Sequence, residues 1–176
     1  NVNFYTLVEL VPLDKKYLAI VTKWNYDTEI NFYFSKRPPL SGQQQLLWLE
    51  KTLNDTSKKK YIIIHQGTRK PVGMVSLMKI DTTQQNAEFG ITIGEKNYWG
   101  TGVAKAASNM LLHYAFQILQ LNSVYLTVFK ENFRAIHFFS NLGFVKTGHF
   151  FVNESGTSLI EMNLQKIDFL NQHQQH

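Results

Sequence analysis

Apolar and polar positions along the chain change period several times, and each change marks an element. "LVELVPL" (Leu7–Leu13) is a short apolar run ending at a proline and predicts a first strand. Asp14 stands where an N-cap belongs, ahead of a helix over Lys15–Lys23. Trp24–Phe34 mixes aromatics with acids and predicts an irregular helix, broken by Pro38-Pro39. Ser41 precedes a further helix with Leu46, Leu49 and Leu53 on one side. Tyr61–His65 and Val72–Ile80 predict a hairpin around "QGTRKP", and Ala87–Ile93 a fourth strand after "DTTQQN". Val103–Leu119 is alanine-rich and spaces Leu111, Tyr114, Ala115, Ile118 and Leu119 along one helical face. A strand over Ser123–Phe129 follows, then a short helix from Asn132 to Leu142 with Gly143 at the position that ends helices. The last two apolar runs form a hairpin around Glu154-Ser155-Gly156. The expected organisation is one domain over residues 1–168 and a polar tail over 169–176, its last stretch "NQHQQH" frayed. The order β-α-α-β-β-β-α-β-α-β-β is mixed, without the strict alternation of a doubly wound sheet.

Composition narrows the chemistry. The chain has 176 residues, 44% hydrophobic and 18% charged, which suits a globular domain with a real core. It has no cysteine, which excludes disulfides, iron–sulfur clusters and thiolate-bound zinc and fits a reducing, cytoplasmic setting. No apolar run reaches the ~18 residues a membrane helix needs, and no signal peptide is visible at the N-terminus. Net charge is +5. The lysines are scattered except for Lys58-Lys59-Lys60, which has no aromatic interleaving and reads as a solvated loop rather than a nucleic-acid patch. A polyphosphate-bearing cosubstrate also suits this charge.

Two stretches carry chemistry. "NYWGTGVAK" (Asn97–Lys105) places two glycines immediately before the alanine-rich helix. The spacing fits neither a Rossmann fingerprint nor a P-loop. A helix starting there still leaves its first N–H groups unpaired at the positive end of the helix dipole, and glycine lets an anion approach closely. A tight turn that merely needs positive φ explains the loop equally well. "NFRAIHFFSNLGF" (Asn132–Phe144) is, residue by residue, a cap, a close-packed alanine, a helix-ending glycine and a core aromatic. The two stretches together, about 30 residues apart with a strand between, form a specific pattern.

That pattern resembles the GNAT superfamily of N-acetyltransferases. The family loop has the form Q/R-x-x-G-x-G/A, and Trp99, Gly102 and Ala104 occupy its three positions, with tryptophan in place of the usual Gln or Arg. The resemblance runs from the first strand to "SLIEMNL". It extends to three branches: ribosomal-protein alanine acetyltransferases, nucleotide-sugar amine acetyltransferases and spermidine acetyltransferases. It implies an α+β fold with a twisted mixed sheet of about seven strands, splayed between the fourth and fifth, and about four flanking helices. It implies acetyl-CoA as cosubstrate, with no metal. Ile91, Thr92 and Ile93 would pair with the pantetheine, and Trp99, Gly100, Thr101, Gly102, Val103, Ala104 and Lys105 would hold the pyrophosphate. Asn132, Arg134 and Phe139 would complete the cosubstrate site.

The implied reaction is direct attack of a neutral amine on the acetyl thioester, which needs a base and a stabilised oxyanion. A backbone N–H near Ile91 or Thr92 would serve the oxyanion. Glu88 is the expected base, since strand alternation sets it with Gly90 and Thr92 and opposite Ala87 and Phe89. Glu95, His113 and His137 are weaker candidates. Many relatives carry a tyrosine seven residues after the motif asparagine as acid for the thiolate. Here that residue is Phe139, so Tyr125, another tyrosine or water must substitute, or the thiolate leaves unaided. The other reading is a catalytically weak acyl-CoA-binding module. The acceptor is a small-molecule or peptide amine, with Trp24, Tyr26, Asp27, Glu29 and Tyr33 as the expected contacts, since aromatics and acids suit a cation. No nucleic-acid or membrane partner is expected, and a homodimer is allowed.

Overall fold

The computed structural model describes residues 4–30 and 41–174. Its elements, in chain order, begin with a single helical turn α1 (Phe4–Leu7), strand β1 (Val8–Pro12), a 3-10 turn at Lys15–Tyr17, α2 (Leu18–Tyr26) and α3 (Gly42–Asn54). Three strands follow, β2 (Lys59–His65), β3 (Pro71–Asp81) and β4 (Asn86–Ile93), then α4 (Val103–His113). The chain ends with β5 (Ser123–Phe129), α5 (Phe133–Leu142), β6 (Val145–Val152), β7 (Ser158–Gln165) and α6 (Lys166–His173). The seven strands lie in the order β1-β2-β3-β4-β5-β7-β6. β1, β2 and β3 pair antiparallel in sequence, as do β5 with β7 and β7 with β6. β4 and β5 run parallel, and their ladder covers three pairs, Asn86–Glu88 against Ser123–Tyr125. This is the mixed GNAT-like sheet that the resemblance implies, with its one parallel junction where the splay is expected.

The chain forms two compact units and passes between them inside β3, β4 and α4. The first unit holds the described residues up to Met78 and Gly90–Leu111. Its core joins Leu13, Leu18, Val21, Trp24 and Leu49 to Ile62 and Ile64 of β2. Apolar side chains on alternate β2 residues meet the apolar sides of α2 and α3, which is why those helices form here. The second unit holds Lys79–Phe89 and the chain from Leu112 onward. There Ala87 and Phe89 of β4, Val124, Leu126 and Val128 of β5 and Ile160, Met162 and Leu164 of β7 are all buried at the two-residue period of strands.

Four local expectations change. Leu7 belongs to the turn α1, so the first strand starts at Val8. On α3 the buried positions are Leu49 and Thr52, with Trp48 packed on the core, while Leu46 and Leu53 face solvent. The predicted stripe is therefore rotated relative to the face that packs. The long helix ends α-helical geometry at His113 and continues as a π turn, Tyr114–Ile118, closed by Leu119 N–H to Tyr114 O at 3.0 Å. The extra residue in that turn swings Ile118 out to 68% exposure, off the face it was expected to share with Leu111. The polar tail begins within a helix, α6, which runs on to His173 where fraying was expected from Asn171, and Phe169 is fully buried, 5.2 Å from the Phe116 ring. No helix among the described residues is long and apolar enough to cross a membrane.

Candidate active site

In the first unit, the segment after β4 leads through a glycine turn into the start of α4. Gly100 and Gly102 have φ of +73° and +90°, a region that costs an L side chain about 1–2 kcal/mol. A Cβ at Gly100 would meet nothing within 4 Å, and one at Gly102 would meet only Leu7 Cδ2 at 3.6 Å. The space over the loop is thus open, and the glycines serve its conformation. The first bond of α4 is Ala106 N–H to Gly102 O at 3.0 Å. The N–H groups of Val103, Ala104 and Lys105 precede it and have no partner within the helix. Open space above glycines, unpaired N–H groups and the positive end of an eleven-residue helix fit a pyrophosphate.

The loop is tied down from both sides. The Trp99 indole N–H donates to Ile93 O at 3.1 Å, which anchors the loop to the end of β4. This engages a carbonyl expected to face the pantetheine, so Ile93 has a structural role in addition. Tyr98 holds the other side: its hydroxyl lies 2.9 Å from Thr68 Oγ1 in the β2–β3 turn, and its ring lies 4.9 Å from that of His65. Thr101 Oγ1 donates back to Tyr98 O. The chain alone shows that a turn is needed here but shows none of these tethers. Gly73 lies so close to β4 that a Cβ there would come within 2.3 Å of Thr92 O. Along Gly90–Ile93 the burial alternation of β4 disappears, and Ile91 and Thr92 are both half-buried.

The expected acceptor residues separate. Trp24 is 2% exposed, donates its indole N–H to Glu95 Oε1 at 2.9 Å and packs directly against Gly94. It is a core residue, and Glu95 is its hydrogen-bond partner rather than a free base. Asp27 and Glu29 do come together, on the turn after α2, and they hold an alkylammonium already: Lys96 Nζ is 3.3 Å from Asp27 Oδ2 and bonded to Glu29 Oε2. Burial pushes the Asp27 carboxyl up, but the Glu29 N–H and the Lys96 ammonium outweigh it and hold it below its usual range. The Glu29 carboxylate, with Asp27 behind it, raises the Lys96 ammonium. Tyr26 is half-buried on the last turn of α2. Tyr33 lies outside the described residues.

In the second unit, Glu88 is a carboxylate on β4. Its side chain is 18% exposed, and Lys79 Nζ lies 3.1 Å from its Oε2. Lys79 has φ +50°, an unusual value for lysine, and its own side chain is 74% exposed. Glu88 sits opposite Tyr125 in the parallel ladder. Burial, then the charge of Glu88, pushes the Tyr125 phenol up, with Lys79 opposing. Asn132 caps α5, its Oδ1 accepting Ala135 N–H at 3.2 Å, and Gly143 ends the helix at φ +106°. A Cβ on Gly143 would also collide with Gln172 of α6, so close packing adds to the demand for glycine. Arg134 is exposed on α5. Phe139 packs against Phe89, Phe138 and Phe144 at 5.4–6.4 Å between ring centroids. His137 is exposed, 3.2 Å from Asn141 Nδ2. His113 stacks edge-on against Phe169 and His173, and burial, then the His173 charge, pushes its imidazole down. Both histidines are therefore surface or packing residues. Among the described residues no three His, Cys, Asp or Glu side chains gather as a metal site would need.

Comparison with known proteins agrees with this geometry. Residues 7–145 match the family described as acetyltransferase (GNAT) domain. The spermidine N(1)-acetyltransferase of Escherichia coli K12 is 29% identical over 94% of this chain and 90% of its own length. That of Vibrio cholerae is 28% identical, over 92% and 95%. A crystal structure of the Vibrio cholerae spermidine N-acetyltransferase in complex with CoA and spermine superposes with a TM-score of 0.83, covering 94% of this chain and 99% of that one. The chain belongs to the GNAT family of acetyltransferases and is an enzyme that transfers the acetyl group of acetyl-CoA to an amine.

Proposed function

We propose that the acceptor is a polyamine of the spermidine or spermine class. The observation that carries this reading is the carboxylate pair Asp27–Glu29, which already accommodates a primary alkylammonium, that of Lys96. A polyamine presents the same group at intervals along a flexible chain. The relatives that act on spermidine support the reading. Glu88 is the base that takes the proton of the attacking ammonium. Its carboxylate is mostly withdrawn from water and pairs with Lys79 Nζ at 3.1 Å. The nitrogen then attacks the thioester carbonyl, the N–C bond forms, the C–S bond breaks, the CoA thiolate leaves, and the second proton lost by nitrogen passes to solvent. Tyr125, opposite Glu88 and kept protonated by its surroundings, is the phenol on hand to protonate that thiolate. The protein acts in the cytoplasm, a setting that its lack of cysteine suits. It works as a homodimer in which a second copy covers β6, an edge strand exposed along its whole length, with Phe150, Phe151 and Val152 on its surface.

The test is thiol release from acetyl-CoA with spermidine, spermine, an aminosugar and a peptide N-terminus as acceptors. Spermidine and spermine should give the highest kcat/KM. Turnover of the aminosugar or peptide alone would replace the substrate class. Glu88→Gln should bind CoA normally and lose about 10²-fold in kcat, the typical contribution of a positioned base. A variant as fast as the parent from pH 6 to 9 would remove Glu88 from the chemistry.

A further inference from the structure

The Lys58–Lys60 run, which composition marks as a solvated loop, contains one lysine in a different setting. Lys60 lies on β2, opposite Ser76 of β3. Its backbone is fixed, since Leu13 N–H donates to Lys60 O at 3.0 Å. Its side chain is half-buried, and its one polar partner among the described residues is the thioether of Met78, 3.9 Å from Nζ. A thioether is a weak acceptor and carries no charge. An ammonium placed so has lost much of its water and gained no counter-ion. Burial, and then the charge of Lys58, pushes its ionisation below the ordinary lysine value.

The surroundings do not repair this. The titratable neighbours are Lys58 and Lys59 on the approach to the strand, Tyr61 beside it and Asp55 at the end of α3. Asp55 accepts from Ser57 and lies 3.6 Å from Lys58 Nζ, and it does not contact Lys60. The residues packed nearby at the end of β1 and on α3, Pro12, Leu13, Thr52 and Leu53, carry no charge. Lys60 borders an open cavity of about 250 Å³, which these residues line. An amine that gives up its proton more readily than an exposed lysine, and that borders open space, is the better nucleophile, and this protein works in the presence of an acyl thioester.

We propose that the Lys60 amine is an acetylation site of this protein, modified by acetyl-CoA from solution in preference to the solvent-facing lysines. The Nζ lone pair attacks the thioester carbonyl. The N–C bond forms, the C–S bond breaks, CoA departs as the thiolate, and the proton lost from nitrogen goes to that thiolate through solvent. The product is a neutral amide, which relieves both the poorly solvated charge and its repulsion by Lys58. The cavity leaves room for the acetyl group. The reaction needs neither Glu88 nor the glycine loop.

The test incubates the full chain with acetyl-CoA and follows each lysine-containing peptide by mass spectrometry, with exposed Lys15 and Lys51 as internal references. At pH 7 Lys60 should gain the mass of an acetyl group several-fold faster than either reference. At pH 10, near the ordinary lysine value of about 10.4, a substantial share of the references is deprotonated as well, and the lead should fall towards unity in a protein still folded by circular dichroism. Glu88→Gln should acetylate Lys60 at the parental rate, and Lys60→Arg should lose that product alone. Equal or slower labelling of Lys60 at pH 7 would overturn the proposal. So would a lead that is the same at both pH values, because that is a difference in access and not in ionisation.

Discussion

Trp99 stands where the family loop carries glutamine or arginine, and the structure shows what it does there. Its indole N–H donates to Ile93 O at 3.1 Å. Trp99→Phe keeps an aromatic ring in the same half-buried place and removes only the donor and part of the ring. The backbone of residue 99 stays anchored by its own N–H to Lys96 O at 3.1 Å, so the loop loosens without leaving. A net hydrogen bond contributes about 0.5–1.5 kcal/mol. If the free enzyme loses that tether and binding must restore the loop, the Kd for CoA rises by about two- to twelvefold, at 1.4 kcal/mol per factor of ten. The same loss lowers Tm by about 2–4 °C for each kcal/mol in a chain of this length. Calorimetric titration with CoA and a thermal melt of the same sample measure both, and kcat at saturating acetyl-CoA should stay within a factor of two or so, since the reacting groups are untouched. Unchanged Kd and Tm would mean that the hydrogen bond does not hold the loop. A rise in Kd beyond about 10²-fold exceeds what one hydrogen bond supplies, and would mean that the indole touches the ligand itself.

Two further outcomes follow from contacts seen here. Lys96→Ala frees Asp27 and Glu29 from their internal cation, so the KM for spermidine should fall several-fold with kcat little changed; an unchanged or higher KM would show that the acceptor's ammonium binds elsewhere. Phe150→Lys sets a charge on the exposed β6 edge, so a dimer seen by analytical ultracentrifugation in the parent should become a folded monomer; a parent that is itself monomeric at tens of micromolar would remove the dimer.

Features whose cause is local were legible in the chain. Asn132 as a cap, Gly143 as a helix end and Gly100 and Gly102 as positive-φ residues each depend on a few neighbours, and the structure shows each in that conformation. Their joint spacing was specific enough to imply the family. Features that depend on a distant partner were not legible. Trp24 reads as an aromatic beside acids and so as a cation contact, and only the packing of Gly94 and Glu95 against it makes it core. Asp27 and Glu29 look like empty carboxylates until Lys96, about 70 residues on, is seen between them. The turn of α6 over Phe169 is hidden by its polar neighbours, because one buried aromatic in eight residues carries no period. The π turn at Tyr114–Ile118 leaves the pattern of the alanine-rich helix intact and changes only where its last residues point. Of the three branches that the chain resembles, the relatives described above belong to the spermidine enzymes.

The replacement of tyrosine by Phe139 takes on a physical meaning in this setting. Phe139 forms one cluster with Phe89, Phe138 and Phe144, with edge-on contacts that favour rings over hydroxyls. A phenol there would have to find a partner or leave its oxygen without one among aromatic faces, at a cost of about 1–3 kcal/mol. Phe139 is therefore a packing residue, and on the proposed mechanism any protonation of the thiolate falls to a phenol elsewhere. Tyr125 meets the requirements of such a donor. Neighbouring strands lie about 4.8 Å apart, so its place opposite Glu88 sets the proposed acid and base on adjacent strands. Its burial and the carboxylate beside it both favour the protonated phenol, the form that can donate. The demand on it is modest as well. A thiol near the reference value of about 8.5 leaves as an anion far more readily than an alkoxide does, so the donor assists departure without having to drive it. On the proposed mechanism, in which Glu88 is the base, the family tyrosine can be given up while Phe139 packs among the aromatic rings.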